Sequence, residues 1–247
     1  MLHEQNAVLG KANRLVLGGA ARVATSFART QYLAPDDRRA CLVGNPVREP
    51  VRLLRSSPYR APGEGRVIDI LVFGGSQGAA VLNRVVPAAV RLLPAAVRAN
   101  LDITHQGRDE DREVMLAAYH DAGIEPTIAA YFPDLPAEMA SSHIVIARSG
   151  ASTVAELAVM GRPSILVPLP IATDDHQADN AAALVAAGGA QMIRQQDFTP
   201  EQLAEALTGW LTDRKGLAEV AAAARAAGHP EAAIRLANLV IATGLIA

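Results

Sequence analysis

From Val67 to Ile193, short apolar runs alternate with amphipathic stretches across loops of a few small or polar residues. That alternation constrains the fold more than any other feature of the chain. The apolar runs are Val67–Phe73, Leu101–His105, Thr127–Phe132, Ile144–Ala147, Ser164–Pro168 and Ala190–Ile193. Between them lie segments of helical period: roughly Ala80 to Leu93, Glu110 to Ala122, Leu135 to Ser141, a stretch ending at Met160, and Asp179 to Ala187. Strands joined through helices pair in parallel, so the pattern predicts an α/β protein with a doubly wound parallel sheet and ligands beyond the carboxyl ends of its strands. The core must be aliphatic, since hydrophobic residues are 50% of the chain and aromatics only 4%.

Outside this block the patterning is weaker. A short helix is expected from Ala7 to Leu17, a strand over Arg22–Phe27, and a strand over Cys41–Arg48 ending in a Gly-Asn-Pro turn. Ser, Pro, Gly and Arg residues between Arg52 and Arg66 read as a linker. Thr199-Pro200-Glu201-Gln202 is a helix start, with an N-cap, proline at the first position and glutamine three on. Gly228-His229-Pro230 breaks the chain before a last helix, Pro230 to Leu245, with apolar Ile234, Leu236, Leu239, Val240 and Ile241.

Charge and composition exclude several classes. A formal charge of −2 and a pI near 6.3 argue against a nucleic-acid partner. The single Cys41 excludes an internal disulfide framework, and the six histidines are scattered, without metal-ligand spacing. No apolar run is long enough to span a bilayer, and no signal-peptide pattern is read.

Four clusters carry the chemistry. Arg148-Ser149-Gly150-Ala151-Ser152-Thr153-Val154-Ala155-Glu156 turns from a strand into a helix whose first backbone amides and dipole suit a phosphate. Glu156, one turn in, could hold a sugar diol, although Thr153-x-x-Glu156 also reads as a capping box needing no ligand. Gly74-Gly75-Ser76-Gln77-Gly78 sits at an equivalent turn, but Phe73 breaks the dinucleotide fingerprint and no ATP-type glycine-lysine loop exists. In Asp174-Asp175-His176-Gln177-Ala178-Asp179-Asn180 the acidic pair reads as solvated, whereas Gln177 and Asn180 share one helix face and could read sugar hydroxyls. His3, Glu4 and Asn6 form a polar group at the first residues, with His3 and Glu4 as acid–base candidates.

Together with Gly44-Asn45-Pro46-Val47-Arg48, these motifs stand in an order and spacing that resembles the MurG family of bacterial transferases, which convert lipid I to lipid II in peptidoglycan synthesis. The resemblance covers essentially the whole chain. It implies a two-domain GT-B, Rossmann-like fold, with residues 1–45 as a remnant of the N-terminal acceptor domain, 46–228 as the UDP-GlcNAc-binding domain, and 229–247 as a helix crossing back. It implies no cofactor and no metal. Arg48 and Ser76, with neighbouring Gln77, would meet the diphosphate, and Ala151, Ser152, Thr153, Val154 and Ala155 would present the helix N-terminus to it. Glu156 would bind the ribose hydroxyls, Asn6, Gln177 and Asn180 the GlcNAc hydroxyls, and Pro133 the uracil edge. Family members carry a glycine-rich loop on an acceptor-binding domain that precedes the His3-Glu4-Gln5-Asn6 motif. That domain would hold the principal base and the contact with the cytoplasmic face of the membrane, where such an enzyme is peripheral. The chain therefore reads as N-terminally truncated and weakly active or inactive alone.

Rival readings are another nucleotide-sugar transferase or a UDP-GlcNAc epimerase of the same fold, and a UDP-sugar-binding module without catalysis. A nicotinamide oxidoreductase is disfavoured by Phe73.

Overall fold

The computed structural model describes residues 1–75 and 79–244. Among the described residues, nine strands form two parallel sheets. β1 (Leu2–Glu4), β2 (Val23–Thr25) and β3 (Ala40–Leu42) make a three-stranded sheet in that order. The larger sheet contains β4 (Ile68–Phe73), β5 (Leu101–Gln106), β6 (Thr127–Ala129), β7 (Ile144–Ala147), β8 (Ser164–Leu166) and β9 (Ala190–Met192), in the spatial order β6-β5-β4-β7-β8-β9. Growth reverses direction between β4 and β7, and that switch point opens a crevice at the carboxyl edge.

Residue alternation explains why this sheet is buried on both faces. In β4, Ile68, Ile70 and Val72 point to one side and Leu71 and Phe73 to the other, all nearly inaccessible. The first side packs against α3 (Ala80–Leu92), α5 (Arg112–Asp121) and α9 (Pro200–Thr212) through Leu82, Val86, Tyr119 and Leu207. The second packs against α6 (Leu135–Ser141), α7 (Ala151–Met160) and α8 (His176–Ala186) through Met139, Leu157 and Leu184. The remaining helices are α1 (Lys11–Val16), α2 (Glu49–Leu54), α4 (Ala95–Arg98), α10 (Arg214–Ala227) and α11 (Ala232–Gly244).

Several termini follow from local chemistry. The hydroxyl of Thr199 accepts from Gln202 N at 3.3 Å, as the helix-start pattern predicts. α7 stops at Gly161, left-handed at φ 68°, where a side chain would collide with Arg225. Helix α2 corrects the expected strand and linker: the strand ends at Leu42, and Arg48-Glu49-Pro50 starts a helix with Pro50 in its first turn and Val51 fully buried. Helix α8 begins at His176, three residues before the expected Asp179, and α4 was not anticipated. Helix α11 leaves Ile234, Val240 and Ile241 exposed. Among the described residues, no helix is long and apolar enough to cross a membrane.

Candidate functional site

The switch point between β4 and β7 holds a cleft of about 620 Å³, within the size range of small-molecule sites. Its floor is Phe73 and Gly75 after β4. One side is Gln106, Ala130, Tyr131 and Phe132, at or just past the ends of β5 and β6, with Leu135 of α6; the other is Ser152, Thr153 and Glu156 of α7, with Pro46 and Arg48 closing the rim.

The N-terminus of α7 faces this cleft without a cap. Its N-cap residue is Gly150, and no side chain among the described residues caps it. Thr153 and Glu156 therefore lie inside the helix and form no capping box. The first free amide to enter the helix ladder is that of Val154, which donates to Gly150 O at 3.0 Å. The amides of Ala151, Ser152 and Thr153 precede it and remain the orphan donors of the first turn. This corrects the expectation for Val154 and Ala155: the Val154 amide is committed to the helix, and both side chains line a different pocket on the other face of α7.

Arg48 and Glu156, 108 residues apart, meet in a two-pronged ion pair, Nε to Oε1 at 2.7 Å and Nη2 to Oε2 at 2.8 Å. The Glu156 carboxylate raises the Arg48 guanidinium above its ordinary value, so Arg48 stays cationic. Glu156 is buried, and among the described residues each of its oxygens accepts one bond, from Arg48, and keeps a lone pair spare. The Glu156 carboxylate and the Arg48 guanidinium thus hold each other in place at the rim of the cleft.

The segment before α7 is braced rather than free. Arg148 donates to the carbonyls of Val167 and Pro168, both at 3.0 Å, and to Gln195 Oε1 at 2.6 Å, tying β7 to the loop after β8. The Ser149 hydroxyl donates to Gln177 O at 2.8 Å. Gln106 joins the loops after β4 and β6, accepting from Gly74 N at 3.3 Å and donating to Ala130 O at 3.2 Å.

The expected sugar-binding trio divides. Asn6 and Asn180 come together, with Asn180 Nδ2 donating to Asn6 Oδ1 at 3.1 Å. Asn180 also donates to Ser149 O at 3.3 Å and accepts from Ala7 N at 2.8 Å, and it is fully buried. It corrects the expectation of a direct hydroxyl contact, because both its N–H groups are committed and no surface is left for a sugar. Gln177 accepts from Leu169 N at 3.0 Å and is only partly buried. Pro133 is exposed beside Phe132, which lines the cleft. Ser76 and Gln77 lie outside the described residues.

Glu4 is buried and accepts four bonds, from Asn6 N, Asn6 Nδ2, Gly10 N and Asn13 Nδ2. Burial pushes its carboxyl up, but these bonds outweigh that and hold it below the ordinary carboxylate range. That makes Glu4 an anionic organiser of the loop carrying Asn6, and a poor proton acceptor. Burial pushes the neighbouring His3 imidazole down against the pull of Glu4. The two aspartates after β8 are ion-paired, Asp174 with Arg14 and Asp175 with Arg194 at 2.8 Å.

Sequence reasoning missed Pro46, Phe73, Gln106, Tyr131, Phe132 and Leu135 as cleft residues. The available signal was position: most lie at or just past the carboxyl end of a strand of the large sheet.

Comparison with known proteins agrees with this architecture. The chain is 52% identical over 246 residues to the UDP-N-acetylglucosamine–N-acetylmuramyl-(pentapeptide) pyrophosphoryl-undecaprenol N-acetylglucosamine transferase of Rhodospirillum centenum, covering 99% of this chain and 65% of that protein. The enzyme of the same name from Methylobacterium nodulans is 51% identical, with 99% and 66% covered. The chain thus spans about two thirds of the length of these curated relatives. The crystal structure of Acinetobacter baumannii MurG superposes with a TM-score of 0.79 at 31% identity, over 96% of this chain and 65% of that one. A UDP-N-acetylglucosamine 2-epimerase shares the fold, with a TM-score of 0.61 at 15% identity, over 95% of this chain and 61% of that one. Residues 69–236 match the model of the glycosyltransferase family 28 C-terminal domain, and the chain belongs to that family.

Proposed function

We propose that this chain supplies the donor half of an inverting N-acetylglucosaminyltransferase and holds UDP-GlcNAc in the cleft at the β4/β7 switch point. The observation that carries the reading is the uncapped N-terminus of α7 opening into that cleft beside the Arg48–Glu156 pair. The diphosphate would lie on the amides of Ala151, Ser152 and Thr153, with Arg48 opposite. The ribose hydroxyls would donate to the free lone pairs of Glu156. The base would enter between Phe73 and the Tyr131–Phe132 segment, with Pro133 at its edge, where aromatic faces suit a planar ring. Asn6 and Gln177 would meet the GlcNAc hydroxyls, while Asn180 holds Asn6 in position.

In the reaction, the C4 hydroxyl of the MurNAc unit of lipid I attacks C1 of GlcNAc. The bond from C1 to the β-phosphate oxygen breaks, and UDP leaves with its electron pair. The hydroxyl proton passes to a base, and configuration at C1 inverts. Negative charge grows on the β-phosphate, where a helix N-terminus and an arginine are poised to stabilise it. The acceptor lipid and the cytoplasmic membrane face would be engaged by parts of the whole protein beyond this chain, as would the principal base, since both Glu4 oxygens are already occupied.

The test is calorimetric titration of the folded chain with UDP-GlcNAc, using TDP-glucose and NAD as controls. Selective UDP-GlcNAc binding that falls at least about tenfold in Glu156→Ala is expected from the loss of two charge-assisted hydroxyl bonds. Equal binding of all three ligands, or binding indifferent to Glu156→Ala, would overturn the reading.

A further inference from the structure

The floor of the cleft and its Tyr131 side are not neighbours in the sheet. The floor ends at Gly75, after β4, whereas Ala130, Tyr131 and Phe132 follow β6. β5 lies between those strands, and its last residue is Gln106. Backbone pairing runs out at that level: His105 faces Val72 of β4, Gln106 faces Ala129 of β6, and Gly107 N donates to Ala129 O at 3.1 Å. Further out, the Gln106 side chain takes over on both sides. Its Oε1 accepts from Gly74 N at 3.3 Å and its Nε2 donates to Ala130 O at 3.2 Å. One carboxamide thus spans a gap that the strands no longer bridge, a rung past the end of the ladder.

This bridge is placed to fix geometry rather than to hold the fold together. Gln106 is only partly buried and itself lines the cleft. Both bonds lie where water can replace them, so their loss strands little. The strand below is anchored without them, since Ile128 is buried and Arg112 Nη1 donates to its carbonyl. Beyond Ala130, packing holds the buried Phe132, but the backbone of Tyr131 and Phe132 makes no hydrogen bond among the described residues. Gln106 is therefore the last polar tie before Asp134, which caps α6 by accepting from Ala137 N at 3.1 Å.

We propose that Gln106 is a positioning residue for the nucleobase: its carboxamide holds the Tyr131–Phe132 segment at the spacing from β4 that a base entering the cleft requires. The inference rests on the donor-site reading and adds to it a residue that acts through others. With the bridge intact, the segment is ordered before the ligand arrives. Without it, the base must order the segment on binding, and affinity falls by that cost. The first turn of α7, on the other side of the cleft, is untouched by the change.

The test titrates the chain and its Gln106→Met variant, which keeps the length and neither bond, with UDP and with inorganic pyrophosphate, followed by amide NMR. Gln106→Met should bind UDP about tenfold more weakly, and pyrophosphate within about twofold of the original chain. In the free variant the Tyr131 and Phe132 amides should already have moved, with the urea midpoint nearly unchanged. Gln106→Ala serves the same purpose should Gln106→Met fail to fold. An unchanged ratio of UDP to pyrophosphate affinity would overturn the proposal, whether or not stability falls. Weaker UDP binding with the free Tyr131 and Phe132 amides unmoved would also overturn it, by making Gln106 a direct contact. Failure of the original chain to bind UDP would instead overturn the donor-site reading, and this inference with it.

Discussion

Replacing Asn180 by alanine separates two roles that this residue could play. Its side chain makes three bonds, to Ala7 N, Asn6 Oδ1 and Ser149 O, and it is wholly buried. In Asn180→Ala the Ala7 N–H and the Ser149 carbonyl are stranded at positions 5% and 0% exposed. Each buried polar group left unmet costs about 1–3 kcal/mol. Asn6 is only partly buried, so its Oδ1 regains water and adds little. Two stranded groups give an expected loss of about 3–4 kcal/mol, well beyond the roughly 1 kcal/mol of a typical substitution. Urea unfolding followed by circular dichroism measures this directly. Gln177→Ala, on the same helix face but partly exposed, should cost about 1 kcal/mol or less, since it removes one bond to Leu169 N. A stability loss under about 0.5 kcal/mol for Asn180→Ala, together with weaker UDP-GlcNAc binding and unchanged UDP binding, would refute the positioning role and make Asn180 a direct sugar contact.

Three further outcomes are expected. Gly228→Ala should destabilise by about 2 kcal/mol in the same assay, because the new Cβ meets the α7 backbone at 2.6 Å although its own φ of −75° is unstrained. His105 is buried with its pKa pushed down to about 3, so the unfolded chain binds a proton that the folded chain refuses. Its contribution is therefore present above pH 6.5 and is lost as pH falls toward 3, at about 1.4 kcal/mol per unit, an acid slope that His105→Gln should remove. Glu4→Gln should cost about 3 kcal/mol at pH 7, since its amide N–H₂ would face the donors of Gly10 and Asn13, and urea midpoints would register the loss.

What could be read from sequence was whatever repeats locally. Strand β4 was legible because Ile70 to Phe73 is apolar on both faces, and the end of α7 because Gly161 and Pro163 follow a helical run. Helix α2 was hidden because its six residues are too few to show a period and lie against a Pro- and Arg-rich linker. Strand β1 was hidden because its three residues are mostly polar, and Glu4 is buried only by virtue of loop donors that follow it. The site divides the same way. The strand-to-helix turn before α7 is a local object and was legible, whereas the pairing of Arg48 with Glu156 joins residues 108 positions apart, and no spacing rule reaches that far. Asn180 has the residue type of a sugar ligand, and only its burial reveals that its hydrogen bonds are already committed.

The central claim is that the first turn of α7 is the diphosphate site. Backbone amide NMR during titration with UDP tests it most directly. The account predicts the largest shifts at Ser152, Thr153 and Gly75, with smaller ones at Tyr131 and Phe132. Saturable binding that leaves the α7 amides unmoved, with shifts confined to another surface, would contradict it.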